Sequence, residues 1–416
     1  MMKTYNLVHI TTGGEYQTPL VQSQLFDQAE AQAKDKKGFA PKHVQAWIIA
    51  PLREAFDKKA QDKVRFLRKR CPNIKISMFN GVDRLAKAPI IQSLCLRRLM
   101  MGGTPVVYHC RGEQAAQWAI RLKRRFPKDK VVLDVRGYWP AELLYKRGIE
   151  HVEHAVGVDR SDFDRTNEEL RNAISGADGV TTVSEALREL LVTQLGAPQN
   201  TIVVQCCVSG ITDDSRRAAI RQRWGIKDSD IAVVYSGTTA KYQHLDDLTL
   251  PFLKKLVDRN TDIRLVMLSP EIDKIKEMLV QVGIYTGTVV LENVPQNEVA
   301  ATLTACDAGV LIRKPTLVNI VANPVKIAEY FASGLPIIVE EGVGGIPKRL
   351  YDDKLVMGIQ ISNPAADQYQ YAAAVEAWLE SGLASKRQAI REEVRQNLLW
   401  SSAIHISRGL YARLLG

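Results

Sequence analysis

The feature that most limits how this chain can fold is a regular alternation of short β-branched runs with helical stretches, carried through both halves. In the first half "YNLVHIT" (5–11) reads as a strand, and a helix from Pro19 to about Lys34 follows it. "QAWIIAP", a basic helix and "NIKISMF" come next, then "TPVVYHCRG", the helical "EQAAQWAIRLKRRFP" and "KVVLDVRG". A helix beginning near Arg165 leads to "GVTTVS" and "EALRELLVTQLG". The second half repeats the style with "IAVVYSGT", a helix over 246–258, "DIRLVMLSP", a helix over 271–282, "TVVLENVP", "NEVAATLTAC" and "AGVLIRK". Parallel strands need a crossover between them, and a helix after each strand supplies it, so the pattern predicts doubly wound parallel sheets. At 416 residues the chain is too long for one ordinary core and fits two domains. The expected class is α/β, with two doubly wound Rossmann-like domains facing each other across a cleft. The break is expected in "IVVQCCVSGITDD", where a strand runs into polar turn-forming residues. This gives domains over 1–206 and 207–395, and a helical tail over 396–416 that can cross back to the first domain.

Several classes are disfavoured. The longest apolar runs, such as "AVVY" and "PIIV", are strand-sized and far short of a membrane span. The opening "MMKTYNLVHITTGG" enters a strand-like segment with no secretory core, and the six cysteines are scattered without metal-ligand spacing. Both point to a reducing, cytoplasmic location. The net charge of +10 is uneven, for residues 51–130 hold 20 basic and 6 acidic side chains. Such a surface is either a set of solvated helix faces or one that meets polyanions, anionic lipid among them. No interleaved aromatic platform accompanies it, so nucleic acid is not an expected partner.

Ligands of doubly wound sheets bind beyond the carboxyl ends of the strands, so the residues there carry the functional reading. After the first strand Thr11-Thr12-Gly13-Gly14 precedes a helix, a place where backbone N–H groups approach an anion or sugar hydroxyls closely. "VVYHCRG" brings His109 and Arg111 toward one strand end, and "VLDVRGYW" brings Asp134 and Arg136 toward another, with Asp134 able to hold Arg136 in place. "HVEH" (151–154) lacks the surrounding pattern of a zinc site. In the second half Gly237 follows a strand with Lys241 nearby, and Arg313 and Lys314 follow another. In "NPVKIAEYFASGLPIIVEEGVGGIP", Asn323-Pro324 opens a helix whose first-turn N–H groups and Lys326 suit a diphosphate. Glu329, three residues on and sharing that face, suits two vicinal ribose hydroxyls. Gly334 ends the helix, and Gly344-Gly345 offers a second loop.

With those residues in view, "NPVKIAEYFASGLPII", "YSGTTAKYQHLDDL" and "GVGGIP" resemble the donor-binding half of GT-B glycosyltransferases, specifically the retaining glycosyltransferase family 4. "HITTGGEYQ", "VVYHCRG", "LDVRGYWP" and "GVTTVSEAL" fall in that family's order, so the resemblance covers most of the chain. It implies a retaining, metal-independent, hexosyl-type transferase. The donor would be a nucleotide-diphosphate sugar and no further cofactor is needed; the acceptor would be a glycan or lipid-linked molecule of bacterial-type surface polysaccharide synthesis. It also implies that Glu329 binds ribose, that amides around Asn323 to Val325 cradle the diphosphate, that Gly237 is the family's first glycine, and that His109 contacts the transferred sugar. The expected catalytic set is His109, Lys326 and Arg313. The expected donor-binding set is Gly13, Gly14, Gly237, Lys241, Asn323, Val325, Glu329 and Gly344, with Arg111 and Arg136 on the acceptor side and no metal.

The chain departs from the family pattern in three places. The first glutamate of the usual pair falls at Val321, and the usual Arg and Lys after the first glycine fall at Thr238 and Gln243. Lys241, Arg313 and Lys326 are the expected replacements. Two other readings remain: a nucleotide-sugar 2-epimerase of the same architecture, which would turn over donor without acceptor, and a non-enzymatic protein that binds polyanions through its basic half. For the transferase, the basic first domain is expected to dock peripherally on the cytoplasmic membrane face.

Overall fold

The computed structural model describes residues 4–81, 94, 97 and 101–416. The chain forms two compact units. One comprises Met1–Glu142, Ala155–Ser209 and Leu399–Gly416, the other Leu143–His154 and Gly210–Leu398. The units thus divide at 209/210 rather than at 206/207, and the C-terminal segment that groups with the first unit begins at 399 rather than 396. No composition change marks Leu143–His154, because the helix Trp139–Lys146 runs through its start without a break.

In the first unit the strands are β1 (Asn6–Thr12), β2 (Val44–Pro51), β3 (Lys75–Gly81), β4 (Val106–Arg111), β5 (Lys130–Val135), β6 (Gly179–Thr182) and β7 (Ile202–Val203). They form one parallel sheet in the order β3-β2-β1-β4-β5-β6-β7. Helices cover both faces, so β1, β4 and β5 are buried almost throughout and read as near-continuous apolar runs. Leu7, Val107 and Val132 pack with Leu410 and Tyr411 of the helix Trp400–Leu415. That helix is tied down along its length. Trp400 Nε1 donates to the Ser23 carbonyl at 2.8 Å, Arg408 Nη2 to the Gln32 carbonyl at 3.0 Å, and Tyr411 Oη lies 2.9 Å from His109 Nδ1.

The second unit has β8 (Ile231–Ser236), β9 (Ile263–Leu268), β10 (Val290–Glu292), β11 (Ala308–Leu311), β12 (Ile337–Glu340) and β13 (Val356–Ile359), in the order β10-β9-β8-β11-β12-β13. All pairings are parallel. Both sheets start in the middle, wind to one edge and return to the other. Each therefore has one switch point, between β1 and β4 in the first and between β8 and β11 in the second, the place where ligands of such sheets bind beyond the strand ends.

Two helices differ from expectation. The one expected to begin near Arg165 runs Gly157–Gly176. Its first turns carry no apolar stripe and are held instead by charge pairs such as Arg160 Nε to Asp164 Oδ1 at 3.0 Å. The helix over 246–258 opens with a wide turn, Leu245–Thr249, before continuing as Leu250–Arg259.

Candidate active site

The second unit's switch point gathers most of the residues singled out in the sequence. Gly237, directly after β8, has φ +149°, and a Cβ there would strike Lys326 Nζ and come within 2.7 Å of Lys326 Cε. The absent side chain is what lets the ammonium lie against the backbone. Across the switch point, two residues beyond the end of β11, Arg313 is 5% exposed. It donates through Nε (3.1 Å) and Nη2 (2.7 Å) to Oε1 of Gln243, and Lys326 Nζ donates to the same oxygen at 3.3 Å. Aromatic faces complete the setting. Arg313 stands 5.3 Å from the Tyr242 ring centroid and Lys326 4.7 Å from that of Tyr235.

The helix Val325–Ala332 presents Lys326 and Glu329, and Tyr330 anchors it across the switch point. The Ser236 N–H donates to Tyr330 Oη at 2.9 Å, and the ring covers Gly309 of β11, where a Cβ would come within 2.7 Å of Tyr330 Cδ2. Asn323, just before the helix, donates through Nδ2 to the Gly344 carbonyl at 3.0 Å. Gly344 has φ +86° and faces the helix start, where a Cβ would come within 2.9 Å of Ile327 Cδ1. Asn323, Val325 and Gly344 thus form one loop-and-helix corner, and the first-turn N–H groups have no preceding helical carbonyl to serve them.

The charges are poorly compensated. Among the described residues no carboxylate lies within ion-pair distance of Arg313 or Lys326. Burial, with the Arg313 cation adding to it, pushes the Lys326 ammonium well below its ordinary value, although Glu329 opposes the shift. Burial also lowers Arg313. Glu329 is half-buried, and its carboxyl is raised by burial, with Lys326 opposing. Two desolvated cations share one neutral acceptor, an arrangement completed by an anion.

Lys241 is exposed beside Gly148, at 3.7 Å from where a Cβ on that glycine would stand, and does not join the Arg313–Lys326 pair. The next turn is strained. His244 takes φ +48° and is held by Tyr145 Oη at 2.7 Å from Nε2 and by Asp247 Oδ2 at 2.9 Å from Nδ1. Lys314 pairs with Asp247 at 3.3 Å.

In the first unit, Gly13 (φ +62°) and Gly14 follow β1 while Arg111 ends β4, so the three flank that sheet's switch point. Arg111 Nε is 3.5 Å from Glu15 Oε2, and its buried Nη1 has no hydrogen-bond partner. Arg136 is tied into the fold, donating to the Val204 carbonyl at 3.1 Å and to Gln24 Oε1 at 2.9 Å. Asp134 accepts from Thr181 Oγ1 at 2.8 Å. Burial favours its neutral form, yet Arg136, His109 and Thr181 together hold the carboxyl well below the carboxylate range.

His109 does not stand at the strand end. It lies two residues inside β4, is 2% exposed, and packs against His9 with ring centroids 4.9 Å apart. The sequence places it near the end, but Tyr411, brought in from the far end of the chain, closes over it. His151 and His154 are exposed with ring centroids 5.3 Å apart, and no metal-holding group of three His, Cys, Asp or Glu occurs among the described residues.

Gln243, Tyr235 and Tyr330 were not anticipated as site residues. Gln243 had a signal, because it occupies the position where a lysine is usual.

Residues 216–397 match the family model for glycosyl transferases group 1. No curated protein matches the sequence. Among solved structures, a glycosyltransferase from Rickettsia africae is similar at 13% identity over 99% of both chains, with a TM-score of 0.67. Sucrose-phosphate synthase from Thermosynechococcus elongatus is similar at 12% identity over 98% of both, with a TM-score of 0.66. Anabaena HepE, solved with UDP-glucose, is similar at 12% identity over 98% of this chain and 99% of that one, with a TM-score of 0.61. At these identities the likeness is one of fold. Residues 216–397 thus match the glycosyl transferases group 1 model, and the chain as a whole has the GT-B fold of these structures.

Proposed function

We propose that the protein moves a hexosyl group from a nucleotide-diphosphate sugar to an acceptor hydroxyl, with retention of configuration and without a metal ion. The observation that carries this reading is the convergence of Arg313 and Lys326, both desolvated, on one neutral oxygen at the second sheet's switch point. A diphosphate leaving group gains negative charge as the glycosidic bond breaks, and preorganised cations and helix N–H groups stabilise that charge where it develops. Arg313, Lys326 and the amides around Asn323 to Val325 take this role. Glu329, whose carboxylate has no hydrogen bond or ion pair among the described residues, accepts from the ribose hydroxyls. Gly237 lets the Lys326 ammonium lie against the backbone where the diphosphate would meet it, and Gly344 shapes the corner beside it. The acceptor proton passes to a departing phosphate oxygen.

Arg111 with Gly13 and Gly14 is the acceptor-side group, and the enclosure of His109 gives it a supporting place behind them rather than a contact with sugar. The basic surface of the first unit fits a lipid-linked acceptor in an anionic cytoplasmic leaflet, as in surface polysaccharide synthesis. Among the described residues no helix is long and apolar enough to cross a membrane.

A thermal-shift screen against nucleotide sugars and free nucleoside diphosphates, followed by turnover assays with the stabilising donor, tests this. Stabilisation together with acceptor-dependent release of nucleoside diphosphate is expected. Donor conversion without any acceptor would favour the epimerase reading instead.

A further inference from the structure

We propose that Gln243 is a positioning residue of this site, whose side-chain oxygen occupies the place of a phosphate oxygen between Arg313 and Lys326 and keeps both cations aimed at one point until a diphosphate takes over. The inference rests on the donor-site reading above. Three N–H donors, two from Arg313 and one from Lys326, converge on Oε1 of Gln243 at 3.1, 2.7 and 3.3 Å. Donors of that kind fix the amide's orientation, since its nitrogen would place donor against donor. Gln243 is 4% exposed, so the oxygen is not competing with bulk water for these cations.

The backbone around it is set by strong constraints. Its N–H donates to the Ala240 carbonyl at 2.8 Å. The next residue, His244, is held in the left-handed region by Tyr145 on one ring nitrogen and Asp247 on the other. A non-glycine residue rarely adopts that conformation, and it persists here because both nitrogens are engaged. The turn therefore delivers the Gln243 side chain to a fixed place.

The residue type has a physical logic. A carboxylate at this position would neutralise the two cations in the free protein and then compete with a phosphate. An apolar side chain would leave the cations without a common acceptor, free to separate. A neutral amide is strong enough to gather them and weak enough to yield, because a phosphate oxygen meets the same cationic donors with a full opposite charge.

The test compares wild type, Gln243→Glu and Gln243→Met by calorimetric titration with UDP, GDP, ADP and inorganic pyrophosphate, alongside thermal melting of each free protein. Gln243→Glu is expected to melt higher than wild type while binding the diphosphates roughly tenfold or more weakly. A residue with a purely structural role would move stability and affinity together. Gln243→Met is expected to lose affinity while its melting temperature stays close to that of wild type, and it stands in as the deciding variant if Gln243→Glu does not fold; a matching fall in both would overturn the positioning role. If wild type binds at least one probe and both variants bind it equally well, the positioning role is overturned while the donor site stands. If wild type binds none of the probes, the donor-site reading fails and this inference fails with it.

Discussion

Replacing Lys326 with methionine separates a binding cation from a structural one. Among the described residues the ammonium makes one hydrogen bond, 3.3 Å long, to a neutral oxygen, and it stands 4.7 Å from the Tyr235 ring centroid. Burial already disfavours its charge, and Arg313 adds repulsion. Lys326→Met keeps the length of the side chain, removes the uncompensated charge, and forfeits a cation–π contact of about 0.5–2 kcal/mol. These effects oppose one another, because burying an unpaired charge has its own cost. The free protein should therefore stay within about 1 kcal/mol of wild type, a melting shift of roughly 2–4 °C at most. Binding should behave differently, since a hydrogen bond to a charged group contributes about 1.5–3 kcal/mol. That loss weakens nucleoside diphosphate affinity by about 10- to 150-fold, readable by titration calorimetry. The variant should also lack one contribution to the pH dependence of stability that wild type has. The folded-state value of Lys326 is depressed below 10.5, so between the two values the unfolded chain binds more protons and stability rises as pH climbs through that window. A large fall in melting temperature with unchanged nucleotide affinity would refute the reasoning and make Lys326 a structural residue.

Glu329→Gln should keep the fold and weaken nucleotide-sugar binding by about 1.5–3 kcal/mol, because a charged acceptor becomes a neutral one; unchanged donor affinity in calorimetry would return Glu329 to the role of a solvated helix residue. Turnover should survive EDTA, and complete loss restored by manganese or magnesium would overturn the metal-independent mechanism. The protein should co-sediment with anionic vesicles through the helix Lys58–Arg70, where Lys58, Lys59 and Lys69 are exposed, Phe66 is 48% exposed, and Phe56, just before the helix, is 82% exposed. Each basic residue reaching the surface adds about 1 kcal/mol, so binding should fall with rising salt and vanish with neutral lipid, and equal binding to both lipids would favour a soluble acceptor.

The parallel sheets were legible because strands buried on both faces read as β-branched runs and, among the described residues, the crossovers are helical. The corner proposed to hold the donor was legible because strand ends and helix starts show in the sequence, and Gly237, Arg313, Lys326 and Glu329 sit at such places. The convergence on Gln243 was not, since its partners lie 70 and 83 residues away and only the strand order brings them together. His109 was recognisable as a residue type, but its enclosure depends on Tyr411, 302 residues on. The charge count over 51–130 overstated the free surface. Within it Arg97 is buried in an ion pair with Asp129 at 2.7 Å, and Lys123 pairs with Asp178 at 2.6 Å. The basic positions over 82–93, 95–96 and 98–100 lie outside the described residues.

The membership of residues 399–416 in the first unit has a consequence for how the protein is made. As the chain leaves the ribosome, residues 210–398 have all their partners, including 143–154, before the helix Trp400–Leu415 exists. The unit begun first is therefore completed last, and the face formed by Leu7, Val107 and Val132 waits without Leu410 and Tyr411 until synthesis passes them. A released chain ending at residue 398 should show a protease-resistant second unit and a susceptible first one. A stop codon at position 399 would accordingly do its damage at β1, the strand furthest from it in sequence.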